Sequence, residues 1–273
     1  MNDIRWIGAA VDGNDLRVWA GNAEGAALAQ AAGQVAPGQD PFDAIATLAA
    51  PWRRPEGTAP LPILVAGLPE PAPAALPCPP QPARPTPASA PGFWRVGGLT
   101  QTKPQDRVTA AQALCLAGCL RGQPQFDGVI CLTDAYGLWA HISAGEVVSV
   151  ASTAAGTLAA AVGALPADID LMAFDSALSD GLSRPEHLLR ILATARQMPP
   201  GPAQARIWGA LIGAELAAVR PWWLGQSVLV LGHGPLPELY THALAAQSVH
   251  ATAGHAEPAL LAGFAAAAES LQR

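Results

Sequence analysis

The stretch Ala9–Ala20, AAVDGNDLRVWA, decides the reading of the fold. An apolar run ends at Asp12, Gly13-Asn14 supply a turn that tolerates positive φ, and alternation resumes at Leu16, which is the pattern of a β-hairpin. A second stretch, Cys131–Ile142 (CLTDAYGLWAHI), repeats it. In both an Asp ends the first strand, and a Leu and a Trp fall in the second: Leu16 and Trp19 in one, Leu138 and Trp139 in the other. Each hairpin runs on into a third alternating segment, AALAQAAG after the first and AGEVVSVAS after the second. Two β-meanders, each opening half of the chain, are the mark of a duplicated domain.

Composition narrows the class. The chain has 273 residues, 51% of them hydrophobic, and no unbroken apolar run of membrane-spanning length, so one large or two modest soluble domains are expected and a membrane is not. The N-terminus MNDIRWIGAA lacks the basic region, apolar core and cleavage site of a secretory signal, and the expected location is the cytoplasm. Net charge is −6 and Lys103 is the only lysine, so there is no basic stripe to neutralise phosphates and nucleic acid is not expected as a partner. Of the four cysteines, Cys115 and Cys119 lie one helical turn apart, without a second pair at zinc-finger spacing. Buried packing is the expectation, with no disulfides.

Around the two meanders, helices are expected over Phe42–Leu48 and 107–122, the latter stopped by Gly122, with buried strands at 61–67 and 93–99. Ten prolines between Leu68 and Gly92 cannot donate ladder hydrogen bonds, so 69–92 reads as a surface loop or connector. The later half reads as a helix at Ser183–Ala195 and then a long helix through QARIWGALIGAELAAVRPWW, whose buried face is Ile207, Ala210, Leu211, Ala214 and Ala218. Glu215 on it suits a structural partner to an arginine or a cap, and Trp222-Trp223 suit the core or a dimer contact. Strand, glycine turn and helix follow in SVLVLGHGPLPELYTHALAAQ, and SVHATAG and EPALLAGFAAAAESL close the chain as strand and helix.

Two meanders each followed by helices resemble the actin-like ATPase and sugar-kinase superfamily: an α/β fold of two ribonuclease-H-like domains with a cleft between them, divided here as 1–106 and 107–273. The segments GNDLRVWA, FDGVICL, WAHISAGEVVSVAS, SDGLSRPE and above all GALIGAELAAVRPWWLGQSVLVLG are similar to those of the 2-dehydro-3-deoxygalactonokinase family. That resemblance implies transfer of the ATP γ-phosphoryl group to a 2-keto-3-deoxy sugar acid, with magnesium, in galactonate breakdown. It also implies roles for residues: Asp12 and Asp134 in catalysis; Gly13, Asn14, Gly137, Gly232 and Gly234 around the nucleotide; Arg17 at the sugar acid, or equally paired with a neighbouring carboxylate. His233, between the last two glycines, reads as a loop residue.

Several positions depart from the family's pattern. Members typically read Asp-Trp-Gly-Ser/Thr-x-Asn-Leu-Arg at the first turn; with Leu16-Arg17 in register, that Asp falls on Ala10, and Asp12 sits two positions late on the same strand face. The second turn, typically Pro-Gly-Thr-His-x-Lys-Trp, is Thr133-Asp134-Ala135-Tyr136-Gly137-Leu138-Trp139. Arg-Gly-Glu-Glu becomes Thr109-Ala110-Ala111-Gln112, Arg-Thr-x-x-Thr-Gly-Glu becomes Ala151–Thr157, and Gly-Met-x-Gly becomes Gly67-Leu68-Pro69-Glu70. Phosphoryl transfer needs held phosphates and stabilised charge, so the reading is a family member with degraded catalysis, or a non-catalytic pseudokinase that binds a ligand or a partner, a second copy of the chain included.

Overall fold

A computed structural model of the chain describes residues 3–53, 60–68, 71–81, 84–195 and 197–272. It divides into two compact units: Met1–Phe126, Ala144–Val148 and Glu257–Arg273 form unit 1, and Asp127–Ser143 with Ser149–Ala256 form unit 2.

Unit 1 opens with β1 (Trp6–Asp12) and β2 (Asp15–Gly21), antiparallel, with Asp12 opposite Asp15 and Gly13 at φ +57 in the turn. That left-handed conformation is one glycine adopts without a Cβ penalty. β3 (Ala27–Gln34) completes the meander. Helix α1 (Pro41–Ala49) starts where Asp40 accepts from the Phe42 N–H and Pro41 pre-sets the first turn. β4 (Ile63–Ala66) runs parallel to β1.

The proline-rich segment, expected as a surface loop or connector, carries two short strand pairings. Within its described residues, β5 (Ala74–Ala75) and β6 (Thr86–Pro87) are short strands; β6 pairs with β7 (Phe93–Arg95) at the sheet edge, where Pro87 needs no ladder donor. The strand expected over 93–99 is shorter, and β8 (Leu99–Thr102) and β9 (Gln105–Val108) form a small separate sheet with β5. Helix α2 (Ala110–Gly122) therefore begins three residues later than its apolar spacing suggests, behind a Thr109 cap, and ends at Gly122.

In unit 2, β10 (Gly128–Thr133) and β11 (Gly137–Ser143) form the second hairpin, extended by β12 (Glu146–Thr153), whose first three residues cluster with unit 1. Helices α3 (Ala155–Ala161), α4 (Leu171–Ser183), α5 (Leu188–Ala195), α6 (Pro200–Ala218) and α7 (Arg220–Trp223) precede β13 (Val228–Gly232), α8 (Leu236–Ala245) and β14 (Ala251–His255). The last helix, α9 (Ala256–Ser270), belongs to unit 1 from Glu257 onward. The helix expected over Ser183–Ala195 is broken at 184–187, where Pro185 cannot continue α4.

The sheets share one plan. Unit 1 is ordered β3-β2-β1-β4-β7 with β6 added at the edge, and unit 2 is ordered β12-β11-β10-β13-β14. In each, a meander is extended from its first strand by two parallel strands, so the duplication legible in the hairpins holds for whole sheets.

One face of the unit 1 sheet (Ile7, Ala9, Leu16, Val18) packs on Ala44 and Ile45 of α1, and the other (Trp6, Trp19, Leu64) on Leu114 of α2 and Phe264 of α9. In unit 2, Val129, Cys131, Trp139 and Val230 pack on α4, α6 and α8. Helix α6 is buried almost all round from Ile207 to Gly213, whereas Ala218 of the anticipated face is exposed. Glycines explain this: a Cβ on Gly209 or Gly213 would strike the Phe174 or Leu178 carbonyl oxygen of α4, so the two backbones lie in contact. Trp223 settles into the core, 1% exposed, its indole donating to the Leu216 carbonyl at 2.9 Å. Among the described residues no helix is long and apolar enough to cross a membrane.

Candidate nucleotide site

The residues singled out by the first hairpin gather at one end of unit 1. Asp12, Gly13 and Asn14 form the exposed turn between β1 and β2. Arg17 lies opposite Ala10, exposed, and shares a strand face with Asp12 and Asp15. The Asp15 carboxylate accepts from Gln34 Nε2 at 3.0 Å, and the Asn14 carbonyl accepts from Val35 N at 2.8 Å, which fixes the turn against β3. Nothing lies within 4 Å of where a Gly13 Cβ would sit, so this turn is open. Gly67 is glycine for a packing reason: at φ +91, a Cβ there would collide with the Val11 carbonyl oxygen.

Asp134, Gly137, Gly232 and Gly234 belong to unit 2. Thr133 at the end of β10 is the register partner of Gly232 at the end of the parallel strand β13, which sets the two following turns side by side. The buried Thr133 hydroxyl donates to the Leu231 carbonyl at 3.2 Å and fills the space a Gly232 Cβ would need. Gly234 is left-handed at φ +57 and open, and it leads into α8, whose first turn has no side-chain cap. His233 is exposed in the same turn. A hollow of about 420 Å³ adjoins it, lined by Ile169 and Leu171 from one side and by Pro235, Glu238, Leu239 and His242 from the other. His242 also borders a second hollow of about 460 Å³, where its Nε2 meets Asp175 Oδ1 at 2.7 Å.

The second hairpin turn is more closed than the first. Asp134 Oδ1 accepts from the Ala135 N–H at 2.8 Å, and the Ala135 carbonyl accepts from Thr157 N and Oγ1 at 2.9 and 2.8 Å. Gly156, at the start of α3, lies against the Asp134 carbonyl with no room for a Cβ. Gly137 is packed too, with the Thr153 hydroxyl in its Cβ position. Leu138, the second residue of β11, is apolar and 0% exposed.

Beneath this turn lies a group that sequence reasoning assigned to other partners. Glu215 on α6 is 7% exposed and, among the described residues, pairs with no arginine; its Oε1 accepts from Trp139 Nε1 at 2.8 Å and its Oε2 from the Tyr240 hydroxyl at 3.0 Å. Burial pushes the carboxyl above its ordinary range, and the hydrogen bonds from Trp139 and Tyr240 pull it back. Burial, then the Glu215 charge, raises the Cys131 thiol, and the same causes raise the Tyr240 phenol. Partners 76 and 25 residues away left no signal in the helix itself.

Thr109 and Gln112 form a capping box: Gln112 Oε1 accepts from Thr109 N at 3.0 Å, and Thr109 Oγ1 from Gln112 N at 3.2 Å. Their side chains serve the start of α2. All four cysteines are free, and among the described residues no group of three or more His, Cys, Asp or Glu is placed to hold a metal.

Two sheets of this plan define the actin-like ATPase and sugar-kinase class of fold. The chain belongs to the 2-keto-3-deoxy-galactonokinase family, whose model matches residues 13–267. It is similar in structure to a proposed 2-dehydro-3-deoxygalactonokinase from Sinorhizobium meliloti, with TM-score 0.80, 20% identity and coverage of 97% of this chain and 96% of that one. A more distant likeness, TM-score 0.52 at 10% identity over 98% and 97% of the chains, is to the activator of 2-hydroxyisocaproyl-CoA dehydratase from Clostridium difficile with bound ADPNP. None of the curated proteins matches the sequence.

Proposed function

We propose that this chain binds a nucleoside triphosphate at the carboxyl ends of β10 and β13 and transfers its γ-phosphoryl group to a 2-keto-3-deoxy sugar acid at a reduced rate. The observation that carries the reading is the Thr133–Gly232 register, which places the 133–137 and 232–235 turns together. The apolar hollow beside Gly234 has the size and lining suited to a nucleoside. Arg17 is the cation offered to the sugar acid carboxylate. Asp12, in the exposed turn of unit 1, fits the mode in which magnesium takes one carboxylate and completes its shell largely with water. Asp134 fits less well, since one of its oxygens already serves the Ala135 N–H.

The reduced rate follows from the same residues. A buried leucine replaces the cation of the second turn, a carboxylate occupies one of its backbone donors, and Thr109–Gln112 act as a cap. Losing a single charge-stabilising donor typically slows such chemistry by about a hundredfold or more. These observations also favour a second reading, a nucleotide-binding homologue without transfer.

Titration calorimetry with ADP tests the binding half. Gly234→Leu adds a side chain in open space beside the hollow at a left-handed position, which strains the turn by about 1–2 kcal/mol, so it is expected to abolish ADP binding while a thermal melt shows a fold lowered only by that amount. Undiminished affinity would place the nucleotide elsewhere. Phosphorylation of 2-dehydro-3-deoxygalactonate separates slow transfer from none.

A further inference from the structure

We infer that Glu215 is a positioning residue whose buried carboxyl group ties the second meander to helix α8, and thereby fixes the 133–137 turn relative to the 232–235 turn. The inference rests on reading those turns as the nucleotide end of unit 2.

Glu215 is the only charged side chain among the described residues that is buried, and it lies in an otherwise apolar cluster. Its two oxygens serve different elements. Oε1 holds Trp139, two residues beyond Gly137 on β11; Oε2 holds Tyr240, six residues beyond Gly234 on α8. The two rings lie 6.5 Å apart between centroids. Gly137 itself abuts the group, its Cβ position 3.8 Å from Oε1. Trp139 is the register partner of Cys131, two residues before Thr133, so the polar island reaches the ends of both strands.

Chemistry explains why a carboxylate stands there. The donors are an indole N–H, which can only donate, and a phenol O–H. Filling volume alone would call for leucine or methionine, which leave both donors unpaired. A carboxyl group serves both at once: ionised it accepts from each, and protonated it accepts from Trp139 and donates to the Tyr240 oxygen. Glutamine can do so in part, keeping its oxygen on Trp139 and donating its amide to the Tyr240 oxygen, so Glu215→Gln retains the fold and much of the tie.

The test is amide hydrogen exchange on the full chain without ligand, paired with ADP calorimetry. Tyr240→Phe removes one hydroxyl from α8; exchange at 133–137, a separate element, is expected to quicken at least about threefold, with ADP affinity falling about tenfold. Glu215→Gln falls between this variant and the parent in both. Exchange changes confined to α8, or a drop in melting temperature with ADP affinity unchanged, would overturn the inference. If exchange spreads to 133–137 but the parent chain binds no ADP at millimolar concentration, the tie stands and the nucleotide reading falls.

Discussion

The Trp19 indole, on the second strand of the first meander, donates to Glu257 Oε1 at 2.8 Å, joining β2 to the start of α9. In unit 2, Trp139 on the corresponding strand does the same with Glu215 of α6. The tryptophan shared by the two repeated stretches thus pins a meander to a helix in each unit. The carboxylates differ in setting, since Glu257 is half-buried and Glu215 is buried.

That difference predicts unequal costs. Glu257→Ala lets water reach the Trp19 indole and is expected to lower stability by about 1 kcal/mol. Glu215→Ala strands two buried donors and opens a cavity, for about 3 kcal/mol or more. Chemical denaturation of both variants checks the order; equal losses would show that burial does not set the cost.

Burial also sets a pH dependence. The Glu215 carboxyl, raised in the fold above the 4.5 of the free side chain, favours the neutral form. Its contribution is fully present below about 4.5 and is lost as pH rises through the folded value. Glu215→Gln stays neutral throughout, so its melting temperature relative to the parent should increase from about pH 4 to about pH 7. A difference flat across that range would contradict the assignment.

Helix glycines give a sharper contrast. Gly213→Ala drives a methyl into the Leu178 carbonyl of α4 and is expected to cost about 3 kcal/mol. Gly122→Ala, at the exposed end of α2 with nothing within 4 Å, should stabilise by about 0.5 kcal/mol. Thermal melts of the two single variants should move in opposite directions.

The thiols offer a test independent of any ligand. Cys78, Cys115 and Cys131 are buried, and burial pushes Cys119 up to about 12. At pH 8 only about one Cys119 in ten thousand is thiolate. Iodoacetamide should leave the native chain unlabelled and modify all four cysteines in denaturant, as read by mass spectrometry. Rapid native labelling of Cys119 would place it outside α2's buried face.

The hairpins were legible because alternation, a Gly-Asn turn and an apolar strand are local signals, and their recurrence carried the duplication with them. The short strands β5 and β6 were not, since two-residue pairings are dictated by β8 and β7 and no propensity marks them. Candidate residues were legible one turn at a time; that Asp134 and Gly232–Gly234 share one end of a sheet depends on the β10–β13 register. The hollow joins 166–171 to 235–242, a pairing made only by folding. Glu215 was visible, but its role lies in partners on two other elements.

The most direct test of the account is a single-turnover assay with γ-labelled ATP, magnesium and 2-dehydro-3-deoxygalactonate, run beside an active member of the family. The account predicts labelled phospho-sugar acid, formed at least about a hundredfold more slowly than by that relative. No product above the protein-free control would contradict transfer and leave the non-catalytic reading; a rate equal to the relative's would contradict the weight given to Leu138 and Asp134.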